Sequence, residues 1–304
     1  MGETATRDKL TGICREDGCR LFFEEPLSGH STIRIGGKAM AWVEVPSVDK
    51  FLEVRRVLER GGGRHLVVGN CSNMLFPDGR LTAVLVKLRG GLFSGIRFED
   101  NRVTAGAGVA LGSLVCGSCA KGLAGLEGLV GIPASVGGAV ANNASYLSGI
   151  SDHLVKVRVI DGNFRDIWID KEDIRFEYRG SSLKGKTVVE AVFELEKADA
   201  DKLKRELKGN FLEKMKKQPL EKKTLGCVFK NPPGGHASGE LIDKAGMKGA
   251  CVGGAKVSEK HANFIINDGG ARSSDVTALI DMVKRKVFEK FSITLEPEIE
   301  IIKD

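Results

Sequence analysis

The chain has 304 residues, 42% hydrophobic and 28% charged, which exceeds one typical domain of roughly 100 to 200 residues and excludes a disordered or fibrous protein. Its 39 glycines show no three-residue period and accompany only 8 prolines, so collagen is excluded and backbone that approaches a ligand closely is indicated. The net charge of +6 suits small anionic ligands, and the basic run over 202–223 is interrupted by Glu206, Glu213 and Glu221, as on a solvated helix; nucleic-acid binding is not expected.

A charged segment, 1–20, has no apolar core of a secretory signal, and no stretch offers the roughly 20 continuous apolar residues of a membrane span. A cytoplasmic protein without membrane contact is expected. Over 21–90, short β-like runs at 40–45, 66–68 and 83–88 flank a helix at 48–60, whose Phe51, Val54, Val57 and Leu58 keep the 3.6 period, giving a βαβ-type unit. Over 91–200, strands are expected at 102–105, 155–160, 164–169 and 188–195, with a hairpin turn at Asp161-Gly162 and a helix at 111–121. The region 201–292 opens with the Lys-rich helix and continues through 238–245, a strand at 261–266 and a helix at 274–288. Asp275 lies near the start of that helix and Lys284, Arg285 and Lys286 near its end, the order the helix dipole favours. The last segment, 293–304, reads as a strand over 293–302 interrupted by Pro297.

Seven scattered cysteines are an odd number, so free thiols are expected, with Cys116 and Cys119 as small residues of a packed helix face. The five histidines are dispersed, which disfavours metal hydrolysis and triad chemistry; no metal is expected. Gly106, Gly108 and Gly112 space as GxGxxxG rather than GxGxxG and follow only a short strand, so a Rossmann site is not expected. The stretch 68–75 follows an apolar strand and offers small residues that turn tightly, either as a phosphate cradle or as a plain turn. In 125–140, Pro133, small residues and the pair Gly137-Gly138 expose amides that fit a pyrophosphate; the alternative is a close-packed helix contact. Tyr178-Arg179 sets a guanidinium beside a phenol, suited to a carboxylate or phosphate. The run 226–232 gathers the Cys227 thiol, the Lys230 ammonium and the Asn231 amide, and Glu296, Glu298 and Glu300 share one face if extended.

Taken together these stretches resemble the UDP-N-acetylenolpyruvoylglucosamine reductase family from about residue 26 to 302. The resemblance rests on Thr32-Ile-Arg34-Ile-Gly36-Gly37 for TxRIGG, Ser72-Asn73 within GGGSNLL, Gly131-Ile-Pro133 and Val136-Gly137-Gly138-Ala139 within GIPGTVGGA, Tyr178-Arg179 and Phe229-Lys230-Asn231-Pro232. It continues through Ala245-Gly246-Met-Lys248-Gly249, Gly253 to Ser258, His261-Ala262 and Leu295-Glu-Pro-Glu298. It implies an α+β chain, with a two-subdomain FAD-binding module of the vanillyl-alcohol-oxidase/PCMH type over 21–90 and 91–200, a smaller substrate-binding domain over 201–292, and a C-terminal strand carrying an active-site glutamate. It also implies noncovalent FAD and NADPH as reductant. Hydride passes from flavin N5 to C3 of UDP-N-acetylglucosamine enolpyruvate and a protein acid protonates C2, in peptidoglycan precursor synthesis. By the same resemblance the catalytic residues are Arg179, Cys227 and Glu298; the flavin residues are Arg34, Gly69, Asn70, Cys71, Ser72, Asn73, Met74, Gly131, Ile132, Pro133, Ser135, Gly137 and Gly138; Tyr178, Lys230 and Asn231 bind substrate. The only partner expected is this small-molecule substrate, and a monomer is compatible with it. The chain departs from the family at Asn70 and Cys71, which replace two glycines, at Ala134-Ser135, which replace Gly-Thr, and at Cys227, where serine is usual.

Overall fold

The computed structural model describes residues 2–15 and 18–304. In chain order, helix α1 (Glu3–Ile13) leads to strands β1 (Arg20–Pro26) and β2 (Lys38–Val45). Helix α2 (Val48–Arg60) follows, started by Ser47, whose hydroxyl accepts from the Lys50 N–H, and it buries Phe51, Val54 and Leu58. Next come β3 (Arg64–Val68), β4 (Met74–Leu75), β5 (Leu81–Leu88), β6 (Ile96–Glu99), β7 (Arg102–Gly106), α3 (Leu111–Ala120), β8 (Leu123–Ala124) and the short α4 (Val136–Ala141). They are followed by β9 (Leu154–Ile160), β10 (Asp166–Asp170), β11 (Phe176–Glu177), β12 (Gly180–Ser181), β13 (Thr187–Glu194), β14 (Glu196–Lys197) and α5 (Ala200–Lys217). The chain ends with β15 (Thr224–Cys227), α6 (Ser238–Lys244), β16 (Cys251–Val252), β17 (Ala255–Val257), β18 (Phe264–Asn267), α7 (Ser273–Phe291) and β19 (Glu300–Ile301).

These elements form two compact units. The first comprises the chain through Glu24, Met40–Asn70 and Ala83–Leu212; the second comprises Glu25–Ala39, Cys71–Thr82 and Glu213–Asp304. In the first, a sheet of order β1-β2-β5-β3 pairs β3 parallel to β5, and an antiparallel sheet has the order β10-β9-β13-β7-β6. One apolar core joins them, with Val43, Phe51 and Val84 from the first layer and Val103, Val157, Ala191 and Phe193 from the second. β2 is buried along nearly its whole length, which is why its sequence is a mostly apolar run, broken only by Lys38 and by Glu44 paired with Arg89, rather than an alternating one. On the second sheet the buried Glu190 carboxylate receives Arg97 from β6 and Arg158 from β9, at 2.8 and 3.1 Å. One buried carboxylate thus faces two guanidinium groups, and Arg158 also pairs with Asp166 at 2.7 Å.

The hairpin between β9 and β10 differs from the two-residue turn expected at Asp161-Gly162, because Asp166 pairs with Ile160 and five residues form the loop. The Asp161 carboxylate accounts for the longer loop. It accepts the N–H groups of Asn163 and Arg165 at 2.8 and 2.9 Å, an Asx-type arrangement that stabilises the wider turn.

In the second unit the sheet β15-β18-β17-β16 is antiparallel, and α7 lays Val276, Leu279, Ile280, Val283 and Val287 into its core. The Asp78 carboxylate accepts from the N–H groups of Ser273 and Ser274, at 2.5 and 3.0 Å, and so caps the start of α7. The expected C-terminal strand over 293–302 shrinks to β19, which runs parallel to β4. Pro297 has no N–H to give a ladder and makes only an isolated bridge to Phe229. Among the described residues, no helix is long and apolar enough to cross a membrane.

Candidate active site

In the first unit the two glycine-rich stretches lie side by side. β3 runs out into Gly69, where an added Cβ would collide with Ser135 Oγ, and Asn70 Nδ2 donates to the Pro133 carbonyl at 3.2 Å. Ser135 caps α4 by accepting from the Gly138 N–H at 3.3 Å. Gly137 donates to the Ala107 carbonyl at 2.9 Å, and a Cβ there would stand 2.8 Å from the Ala107 Cβ. Only small side chains fit this junction, and Gly69, Asn70, Gly131, Ile132, Gly137 and Gly138 stay half-exposed around it. Partly exposed main chain from both stretches suits a flat, phosphate-bearing group such as FAD, but the N–H groups of Gly137 and Gly138, expected to be exposed for a pyrophosphate, are taken by the Ala107 carbonyl and Ser135 Oγ. Gly106 and Gly108 have another use: a side chain at either would run into the carbonyls of Leu88, Leu92 or Phe93.

The far end of α4 leads to Arg179. Strands β11 and β12 pair Glu177 with Gly180, so Tyr178 and Arg179 form a two-residue turn, with Arg179 left-handed at φ 58°. Arg179 Nη1 donates to Ser145 Oγ at 2.8 Å and to the Ser145 carbonyl at 3.2 Å, and its guanidinium carbon lies 5.3 Å from the Tyr178 ring centroid. Asn143 Nδ2 donates to the Glu177 carbonyl at 3.0 Å and Ser181 Oγ to the Ala141 carbonyl at 2.7 Å. The six residues of α4 span about 9 Å, and they tie the glycine junction at one end to the Arg179 hairpin at the other.

The second unit gathers Asn73, Cys227 and Glu298. Glu298 donates its N–H to the Val228 carbonyl at 2.7 Å, and Asn73 Nδ2 donates to the Glu298 carbonyl at 3.1 Å. Glu300 donates to the Asn73 carbonyl at 2.8 Å and Lys230 to the Glu296 carbonyl at 2.9 Å. The segment 296–302 is therefore fastened on one side to 73–75 and on the other to 228–230. Cys227, half-buried, ends β15 opposite Phe264. Lys230 Nζ pairs with Glu296 at 2.6 Å, and Asn231 Oδ1 accepts from the Ser238 N–H at 3.0 Å, at the start of α6. Of the three glutamates grouped by sequence, Glu298 is half-buried, whereas Glu296 and Glu300 are exposed.

Arg34, also in the second unit, is left-handed at φ 60° and donates to the Gly29 carbonyl at 2.7 Å. It lines a cavity of about 480 Å³ with Ser28, Asp78 and Arg272, and no other site residue expected from the sequence shares that cavity.

The sequence reading missed Asn263 and Ser145. Buried Asn263 holds both polar atoms of the Phe229 main chain, accepting from its N–H at 2.9 Å and donating to its carbonyl at 2.8 Å. An amide inside the apolar run 262–266 was the available signal. Burial, and then the charge of Lys248, push the His261 pKa down, and its Nδ1 accepts from the Asn263 N–H at 3.2 Å, as a neutral ring does. Burial pushes the Cys119 thiol up to about 11, which suits an inert packing residue. No cluster of three or more potential metal ligands occurs among the described residues.

Residues 39–164 match the family model of an FAD binding domain. With the glycine junction, this defines a flavin-dependent oxidoreductase. A glucose dehydrogenase, Phl p 4.0202, has the same fold at 16% identity, with a TM-score of 0.51 over 64% of this chain and 44% of that one. Residues 218–302 match the C-terminal domain of UDP-N-acetylenolpyruvoylglucosamine reductase. The reductase of that name from Heliobacterium modesticaldum is 42% identical over 97% of this chain and 95% of that one, and the Bacillus subtilis enzyme is 40% identical over 95% of each. The crystal structure of the Thermus caldophilus enzyme superposes with a TM-score of 0.79 at 32% identity, covering 94% of this chain and 99% of that one. The chain belongs to the UDP-N-acetylenolpyruvoylglucosamine reductase family.

Proposed function

We propose that the protein reduces UDP-N-acetylglucosamine enolpyruvate to UDP-N-acetylmuramate with NADPH, in the cytoplasm, as a step of peptidoglycan precursor synthesis that serves cell-wall growth, shape and division. The observation that carries this reading is the convergence of three motifs distant in sequence, with Asn73 and the Val228 carbonyl, next to Cys227, both bonded to Glu298. FAD, when bound, supplies the storage of hydride between reductant and substrate. Gly69, Asn70, Cys71, Ser72, Asn73 and Met74, with Gly131, Ile132, Pro133, Ser135, Gly137 and Gly138, hold it through main chain and short side chains; Arg34 is assigned to the same group on the resemblance alone.

Arg179 faces the substrate carboxylate and stabilises the negative charge that grows there, a role suited to its planar, multidentate head. The Cys227 thiol gives the proton that C2 requires. Glu298 assists the enol-like state through a hydrogen bond. Tyr178, Lys230 and Asn231 bind substrate. The regions 21–90 and 91–200 act as flavin-binding subdomains, 201–292 as the substrate domain and 293–304 as the strand that brings in Glu298. Neither nucleic acid nor a membrane takes part, and a monomer is compatible with this chemistry.

The test follows the two half-reactions separately across pH. Cys227→Ala is expected to let NADPH bleach the flavin at the parent rate while reoxidation by the enolpyruvyl substrate stalls. A thiol donates only while protonated, so the parent rate should fall at alkaline pH, and Cys227→Ser should stay active and lose that limb. Parent-rate reoxidation in Cys227→Ala would remove the thiol from the reaction.

A further inference from the structure

Resting on the assignment of Arg179 to the substrate carboxylate, we propose that Ser145 is the positioning residue that fixes the plane of the Arg179 guanidinium. Arg179 projects from the tip of a hairpin with only two paired positions, Phe176 with Ser181 and Glu177 with Gly180. A hairpin that short has little stability of its own. Its arginine is the longest side chain in the turn and has the most rotamer freedom to lose.

The structure restrains that freedom at Nη1, with the Tyr178 ring beside the guanidinium. Nη1 gives one hydrogen bond to the Ser145 hydroxyl and one to the Ser145 carbonyl, at 2.8 and 3.2 Å. Two acceptors on the same residue, one a side chain and one main chain, set both the position of the nitrogen and the rotation of the planar group. Ser145 is itself braced. It bridges Gly149, Tyr146 donates to the Ser148 carbonyl at 3.1 Å, and Leu147 donates to the Gly128 carbonyl at 3.1 Å. Two residues earlier, Asn143 holds the hairpin through Glu177 and receives the Ser151 hydroxyl at 2.9 Å. The clamp therefore sits on a fixed loop, and the guanidinium is oriented before substrate arrives. Orientation of this kind acts on the rate of reaction more than on ground-state binding.

Ser145→Ala keeps the carbonyl acceptor and removes the hydroxyl. It is expected to slow reoxidation of the reduced flavin by the enolpyruvyl substrate roughly 10-fold, the scale of one hydrogen bond to a charged group. Reduction by NADPH and the calorimetric affinity of the oxidised holoenzyme for substrate should stay at parent values. Ser145→Thr, which keeps a hydroxyl, should recover the rate. In an Arg179→Lys background, Ser145→Ala should cost nothing further. A parent rate in Ser145→Ala beside a slow Arg179→Lys overturns the positioning role and leaves the assignment of Arg179 standing. A parent rate in Arg179→Lys overturns that assignment itself. Equal slowing of both half-reactions, failure of threonine to rescue, or an additive loss in the double variant would each mark Ser145 as merely structural and overturn the proposal.

Discussion

The two units hold their reactive side chains by different means. In the first, the Arg179 hairpin is fastened by the side chains of Asn143, Ser145 and Ser181, so a single substitution removes one of its ties. In the second, Cys227 and Glu298 are carried on main chain that is knitted by the N–H groups of Glu298, Lys230, Glu300 and Ile302, and no change of side chain at 227 or 298 removes those bonds. Substitutions at Cys227 and Glu298 therefore report chemistry with the scaffold intact. Substitutions around Arg179 report chemistry and geometry together. Spectroscopy separates the units as well, because Trp42 and Trp168 both lie in the first. Tryptophan fluorescence follows that unit, and the helical signal of the 19-residue α7 must be read by circular dichroism.

The largest expected effect breaks the first unit's arrangement at its centre. Arg179→Lys keeps the positive charge but loses the planar fork, and it should slow the substrate half-reaction about 100-fold or more. Stopped-flow reoxidation measures this. The glycine junction is untouched, so noncovalent FAD should remain bound at parent affinity and should still be released by heat or acid; loss of flavin from the variant would mean that the hairpin also supports the junction.

Gly37→Ala attacks main-chain packing in the second unit. Gly37 donates to the Pro77 carbonyl at 2.7 Å, and an added Cβ would strike the carbonyl oxygens of Gly79 and Asp78. Backbone on one side and a short loop on the other leave no flexible side chain to move, so a loss of about 1–3 kcal/mol is expected. Urea unfolding followed by circular dichroism measures it, and an unchanged midpoint would show that the 77–79 loop gives way freely.

What was legible in the sequence follows from how local each signal is. α2 appears at 48–60 as expected, since its cap at Ser47 and its apolar period lie within the helix itself. α7 runs to Phe291, three residues past expectation, because it stops only where Ser292 turns left-handed, and no residue type announces that. The hairpin loop after Ile160 was misjudged because the carboxylate of Asp161 reaches main chain two and four residues on. The reactive residues were visible through short motifs, each a run of neighbours. Their supports were not, since Ser145 and Asn263 each act on a residue 34 positions away, and a hydrogen bond across that separation leaves no pattern in a single sequence.

A smaller effect tests the cap on α7. Burial alone would raise the Asp78 pKa, but the N–H groups of Ser274 and Ser273, together with the charge of Arg272, hold it below the usual aspartate range. A carboxyl whose folded pKa is depressed adds stability that is complete above its unfolded pKa, near about 3.9, and is lost as pH falls toward the folded value. Asp78→Asn should therefore cost about 1 kcal/mol at neutral pH, the usual scale of a cap. The deficit should shrink as the pH is lowered below 4. A deficit that is constant with pH would mean that shape, not charge, caps the helix.

The smallest effect concerns His261, which lies under α6 with its ring edge-on to Phe264, 4.9 Å between centroids at 61°. Burial and the charge of Lys248 lower its pKa, so the folded protein keeps the ring neutral at a pH where the unfolded chain, with an ordinary value near about 6.5, already binds a proton. The unfolded state then holds more protons than the folded state, and stability must fall as the pH drops from about 7 toward 5, levelling off only below the folded pKa. At most the slope is that of one proton, about 1.4 kcal/mol per pH unit, and it is spread over a narrow window. The other histidines, 30, 65, 153 and 236, are common to both proteins, so their contributions cancel when His261→Gln is subtracted from the parent. The difference in unfolding free energy, read by circular dichroism, should therefore move against the parent as the pH falls through 6.5. A flat difference would show that His261 protonates as readily in the folded protein as in the unfolded chain, and that its ring is not held neutral by the packing of α6 and Lys248.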